Sequence, residues 1–141
     1  KPQTLAYGLN DSPAGLAAWI VEKFRTWTDC GGDVENVYTK DELLTNVMIY
    51  WVTESINSST RLYYEGSHRP SVLPTGVAVG VPTGVIAYDK HVSNSPRVVA
   101  ERIYNIQRWT TMDKGLHFAT LETPEESLAS LAARRPSLPP T

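Results

Sequence analysis

Pro74-Thr75-Gly76-Val77-Ala78-Val79 and Pro82-Thr83-Gly84-Val85-Ile86-Ala87 are near copies, eight residues apart. Each opens on a proline–glycine turn signal and feeds a short β-branched run, the pattern of a buried strand. The period is far below that of any solenoid, so the pair reads as a local duplication or as two strands where one is expected. Toward the C-terminus, Ser95-Pro96 opens a helix running to about Tyr104, and Ile106 to Thr110 reads as a further strand. Thr123-Pro124-Glu125-Glu126 starts another helix, with acids at the positive end of its dipole. That helix is expected to stop near Arg134-Arg135, because Pro136 cannot continue it. Strand, helix, strand, helix is the alternation of an α/β layer.

The N-terminal half reads differently. Ser12-Pro13 is a capping serine followed by proline at the first helical position, and Leu16, Ala17, Ile20, Phe24 and Trp27 then share one helical face. The turn Asp29-Cys30-Gly31-Gly32-Asp33 closes that helix. Thr39-Lys40-Asp41-Glu42 is a capping box ahead of Leu43, Leu44, Val47, Met48, Trp51 and Val52, a pattern that fades near Asn57. Arg61 to Glu65 begins another helical turn. The organisation expected is a helical segment over 1–66, a linker over 67–73, an α/β portion over 74–135 and a proline-rich tail over 136–141.

Composition narrows the function. The 141 residues are 41% hydrophobic and 20% charged, the balance of a globular chain. Thirteen basic residues against fifteen acidic ones give a net charge of −2. No basic surplus exists to neutralise phosphates, so nucleic acid is not an expected partner. No apolar run approaches the roughly 20 residues of a membrane-spanning helix. The single cysteine, Cys30, excludes an internal disulfide and a cysteine-based zinc site. The first residues form no apolar leader core and do not start with Met, which suggests the middle of a longer chain; as given, it reads as soluble and cytoplasmic.

There is no Gly-x-Ser-x-Gly elbow and no phosphate-binding glycine loop, and His68, His91 and His117 match no metal spacing. His117 stands out, because it lies in Lys114-Gly115-Leu116-His117-Phe118-Ala119, between a predicted strand and the last helix. There a general base can reach a substrate, although a loop histidine bonded to a carbonyl is the commoner outcome. Tyr63 and Tyr64 could donate to a developing alkoxide; amphipathic tyrosines at a packing boundary are commoner still. Asp89 and His91 lie beyond the second strand, where catalytic acids sit in α/β enzymes and where most acids are only solvated.

Asn10-Asp11-Ser12-Pro13-Ala14-Gly15-Leu16-Ala17-Ala18-Trp19-Ile20 with Glu22-Lys23-Phe24 closely resembles the lid of the microsomal-type epoxide hydrolases, juvenile hormone epoxide hydrolases among them. Asn46-Val47-Met48-Ile49-Tyr50-Trp51, Ser58-Ser59-Thr60-Arg61-Leu62-Tyr63-Tyr64-Glu65, Pro82-Thr83-Gly84-Val85, Ala100-Glu101-Arg102, Tyr104-Asn105 and Gly115-Leu116-His117-Phe118-Ala119 extend the resemblance to about Glu125. It implies a partial α/β-hydrolase fold, in which a helical lid (cap) segment is followed by the last strands and helices of the core. It also implies a two-step hydrolysis of a small apolar epoxide to a diol through an alkyl-enzyme ester, with no metal or organic cofactor.

Matched residue by residue, His117 falls on the family's catalytic histidine in Gly-Gly-His-Phe-Ala, and the second glycine is Leu116 here. A positive φ at that position would disfavour leucine. Tyr63 falls on the lid tyrosine, with Tyr64 the fallback. The family's relay acid follows the Pro-Thr-Gly strand in Phe-Pro-x-acid; Tyr88-Asp89-Lys90-His91 puts His91 in the acid's place and leaves Asp89 as the nearest substitute. The nucleophilic aspartate and the second lid tyrosine lie upstream of the matched stretch in the family, and Tyr7 does not replace that tyrosine. The chain is therefore expected to be inactive alone, with the missing N-terminal half or a second copy as partner to its open strand edges. A non-catalytic module binding an apolar ligand or a protein is the alternative, and a dehalogenase or esterase a weaker one.

Overall fold

The computed structural model describes residues 1–69, 73–74, 76–90 and 95–133. The chain divides into two compact units, Lys1–Thr26 with Cys30–Val72, and Trp27–Asp29 with Leu73–Thr141.

The first unit is helical. α1 (Pro2–Asp11), which the sequence pattern does not announce, runs directly into α2 (Pro13–Trp27). Ser12 makes the junction as expected, its Oγ accepting from the Gly15 N–H at 3.0 Å and so satisfying one orphan amide of the new helix. Leu16 and Phe24 are buried on the expected face, and Ala17 and Ile20 are half-buried. After a short 3-10 turn at Val34–Asn36, α3 (Lys40–Val52) opens on the capping box read from Thr39 and Glu42.

α3 ends earlier than its apolar pattern suggests. The Ser55 N–H reaches back to Tyr50 O and the Glu54 N–H to Trp51 O, the paired bonds of a Schellman stop. Glu54 takes the left-handed position with φ of 53°. A separate helix α4 (Ile56–His68) follows, so the turn expected at Arg61 to Glu65 is the middle of a thirteen-residue helix. Leu9, Leu16, Val47 and Ile56 form the core cluster, backed by half-buried Leu5, Trp19, Tyr50 and Trp51. Phe24 meets Tyr38 edge to face at 5.1 Å.

The second unit carries β1 (Val79–Tyr88), α5 (Arg97–Ala100), β2 (Tyr104–Met112), α6 (Ala119–Glu122) and α7 (Pro124–Ala132). β1 and β2 pair in parallel, with Tyr88 opposite Met112 at the C-terminal edge. A parallel pair requires a crossover, and residues 89–103 supply it. The two proline–glycine copies thus make one strand. In the first copy the Val77 N–H returns to Pro74 O and Gly76 sits at φ of 83°, a turn that ends extended pairing. The second copy lies inside β1, where the register shifts around Pro82 and between Thr83 and Gly84, because proline has no N–H to give the ladder.

The helix expected from Pro96 to Tyr104 is one turn long, since Tyr104 already belongs to β2. α7 starts at the predicted Thr123-Pro124 and has Glu125 and Glu126 in its first turn. His91, the stop at Arg134-Arg135 and the 136–141 tail lie outside the described residues. Helices with a small parallel sheet make the architecture α/β. Among the described residues the sheet has two strands, and no helix is long and apolar enough to cross a membrane.

Candidate active site

The loop after β2 is tightly constrained at Gly115. Gly115 is buried with φ of 93°, and a Cβ there would lie 3.0 Å from the Tyr88 ring and 3.3 Å from Thr123 Oγ1. Only glycine satisfies both the backbone and the space. Leu116, in contrast, does not have positive φ, so the leucine at the family's second glycine fits its backbone without strain. Tyr88 is fixed in turn by a 3.2 Å bond between its hydroxyl and Ser127 Oγ, and Ser127 is almost wholly buried.

His117 follows that turn. Its N–H donates to Trp27 O at 3.0 Å. Its exposed ring lies edge-on to Trp27 at 5.0 Å and perpendicular to Phe118 at 4.9 Å. Glu122 accepts from the Phe118 N–H through Oε1 and from the Asp29 N–H through Oε2, each at 2.9 Å. Asp29 also accepts from Lys90 Nζ through both carboxylate oxygens, at 2.9 and 2.7 Å. Glu122 and Trp27 escape a search for catalytic residues by type; the only local signal is an acid four residues after Phe118, just ahead of Thr123-Pro124.

Asp89 and the His117 loop leave the same C-terminal edge of the parallel pair, the end where open α/β sheets bind ligands. The Asp89 N–H donates to Met112 O at 3.1 Å, extending the ladder one step past β1. Its carboxylate is exposed.

Tyr63 lies in the first unit on α4 and is 69% exposed. Tyr64 stacks on His68 with ring centroids 3.9 Å apart, and the Tyr64 carbonyl lies 2.8 Å from His68 Nδ1. That contact occupies the fallback tyrosine and leaves Tyr63 the more open of the two. Among the described residues no group of three or more His, Cys, Asp or Glu could hold a metal ion.

The helices and the parallel strand pair make the chain α/β, and the solved structures it resembles are of the α/β-hydrolase class of fold. No family model matches the chain. The chain is 40% identical over 134 residues to epoxide hydrolase 1 of Sus scrofa, covering 89% of this chain and 30% of that protein. It is 37% identical over 134 residues to the juvenile hormone epoxide hydrolase of Bombyx mori, covering 89% of this chain and 29% of that protein. The crystal structure of juvenile hormone epoxide hydrolase from the silkworm Bombyx mori matches with a TM-score of 0.76 at 35% identity, over 93% of this chain and 36% of that one. The chain is homologous to epoxide hydrolases and corresponds to the C-terminal part of such an enzyme. It spans about three tenths of the length of the curated relatives it matches.

Proposed function

We propose that the chain is the base-bearing portion of an epoxide hydrolase, that the attacking carboxylate is not among its residues, and that it is inactive alone. In the complete enzyme a carboxylate attacks an oxirane carbon, the carbon–oxygen bond breaks and an alkyl-enzyme ester forms, splitting one hard step into two easier ones. The Tyr63 hydroxyl donates a hydrogen bond to the oxirane oxygen as negative charge grows on it. His117 then takes a proton from water, and the resulting hydroxide attacks the ester carbonyl. As the intermediate collapses, its hydroxyl proton passes to the leaving oxygen and the imidazolium returns its proton to the alkoxide left by ring opening. The diol departs with the carboxylate and the neutral histidine restored. Asp89 is the nearest substitute in the sequence for the family's relay acid, and it takes the relay role in this reading. The substrate is a small apolar epoxide, and neither a metal nor an organic cofactor takes part.

The observation that carries this reading is the anchored His117 loop at the C-terminal edge of the parallel pair. The exposure of Asp89 favours a second reading: a non-catalytic module that binds an apolar ligand or a protein.

Styrene oxide separates the two. The chain is incubated with it in the presence and absence of a polypeptide carrying the remaining portion of a related epoxide hydrolase, and diol is measured. Diol only from the mixture, abolished by His117→Ala and reduced by Tyr63→Phe, is the expected result. Diol from the chain alone would mean that it carries its own nucleophile, and none from either would favour the binding module.

A further inference from the structure

The reading of His117 as base leaves open what aims it. The loop offers an answer in three bonds that close on one another. The peptide group before His117 is pinned because its N–H donates to Trp27 O. The peptide group after it is pinned because the Phe118 N–H donates to Glu122 Oε1. With both flanking peptide planes held, neither φ nor ψ of His117 is free, so the direction of its Cα–Cβ bond is set. The anchors are also tied to each other, since the other oxygen of Glu122 accepts from the Asp29 N–H two residues after Trp27. Bonds from N–H groups to a carboxylate are shorter and stronger than neutral ones. The Trp27 and Phe118 rings then flank the imidazole.

We propose that Glu122 is the positioning residue of the His117 loop, holding the histidine at a fixed angle through two backbone amides without touching substrate. This rests on His117 being the water-activating base. Glutamine at this position keeps one acceptor oxygen and turns an NH2 toward the other amide, so it serves one of the two bonds. Alanine serves neither.

Glu122→Ala and Glu122→Gln are compared with wild type by amide hydrogen exchange and by the cross-relaxation between the His117 and Trp27 rings. In Glu122→Ala the Phe118 and Asp29 amides are expected to exchange about tenfold faster or more, with the ring cross-peak weakened and the β1–β2 amides Ala87 and Thr110 still protected. In Glu122→Gln one of the two amides keeps its protection. In the reconstituted enzyme, kcat for diol formation falls by about 10²-fold in Glu122→Ala, with KM held and an intermediate value for Glu122→Gln, the cost of a misplaced catalytic group.

Unchanged exchange and ring contact in both variants would overturn the proposal, as would unchanged kcat once the amides are exposed. If Glu122→Ala strips protection from Ala87 and Thr110 as well, Glu122→Gln decides. Loss of those amides in both variants also overturns it, because Glu122 would then be holding the fold rather than one loop. If wild-type reconstitution yields no diol, the assignment of function fails, while the exchange and ring data still judge the positioning role.

Discussion

The two units hold themselves together by different means. The first buries large apolar side chains: Leu16 is fully inaccessible, Ile56 is 2% exposed, and Leu9 and Val47 join them. The second buries small and polar groups, namely Ala87, Thr28, Ser127, Ser130 and Gly115, and leaves Val81, Val98, Leu121, Leu128 and Leu131 largely exposed. What it has instead is directional bonding. Tyr88 meets Ser127, the Arg108 guanidinium donates to the Ser130 carbonyl near the end of α7, Lys90 holds Asp29, and Glu122 takes two amides. Area removed from water stabilises the first unit roughly in proportion to that area. The second depends on geometry, and its leucines face outward on α7 because the serine face of that helix is turned inward.

The contrast is most exposed to test where burial is complete. Leu16→Ala is expected to destabilise the first unit by about 2–5 kcal/mol, the transfer loss plus the cavity left behind, read from denaturant unfolding. A cost below about 1 kcal/mol would mean that the helices pack loosely and that the contrast with the second unit is false. In the second unit the corresponding lesion adds one carbon instead of removing several. Gly115→Ala forces a side chain into the left-handed region and against the Tyr88 ring. It should cost about 1–3 kcal/mol and shift the chemical environment of Tyr88 and His117 more than that of Leu16. Equal perturbation in both units would contradict the geometric account.

A third change should stabilise. Glu54 occupies the position where a Schellman stop favours glycine, so Glu54→Gly removes Cβ strain of about 1 kcal/mol. The gain should appear as a higher unfolding midpoint with the boundary between α3 and α4 unchanged. A loss would show that the Glu54 side chain contributes more than its backbone costs.

The same contrast explains what could be read from the chain beforehand. The α2 face, the capping box at Thr39 and the proline start of α7 were legible because they rest on periodic apolar residues or on fixed capping offsets. α1 was not, since its buried Ala6 and Leu9 are too few to set a helical period and its N-cap, Lys1, makes no side-chain cap bond. On α3 the predicted stripe is half right: Leu43 and Val47 are buried, whereas Leu44, Met48 and Val52 face outward. Apolar residues on both sides of a helix do not say which side has a partner. The first Pro-Thr-Gly copy misled because a turn and a strand start share their residues, and φ at Gly76 decides between them. His117 could be singled out by its place after a strand, while Glu122 could not, since its role is visible only once Asp29 is brought back to the loop from 93 positions away.

The smallest expected effect concerns the capping box of α3. Glu42 accepts from the Thr39 N–H and from the Thr39 hydroxyl, both at 2.8 Å. The backbone bond foremost, and then the hydroxyl bond, hold its carboxyl below the usual value of 4.5, with slight desolvation opposing. A carboxylate whose pKa is depressed in the folded state binds fewer protons there than in the unfolded chain. Its contribution is therefore complete above the unfolded value and is lost as pH falls through the folded one. The window opens near pH 4.5 and extends downward. Because glutamine also serves in a capping box, Glu42→Gln should match wild type at low pH and be slightly less stable at neutral pH. Amide exchange in the first turn of α3 checks this directly: protection in wild type should fall on acidification through that window and stay level in Glu42→Gln. The bonds to Glu42 lie wholly in the first unit, so at neutral pH Glu42→Gln should leave the Phe118 amide as protected as in wild type. If Phe118 loosens together with the first turn of α3 in that variant at neutral pH, the two units do not answer to separate forces.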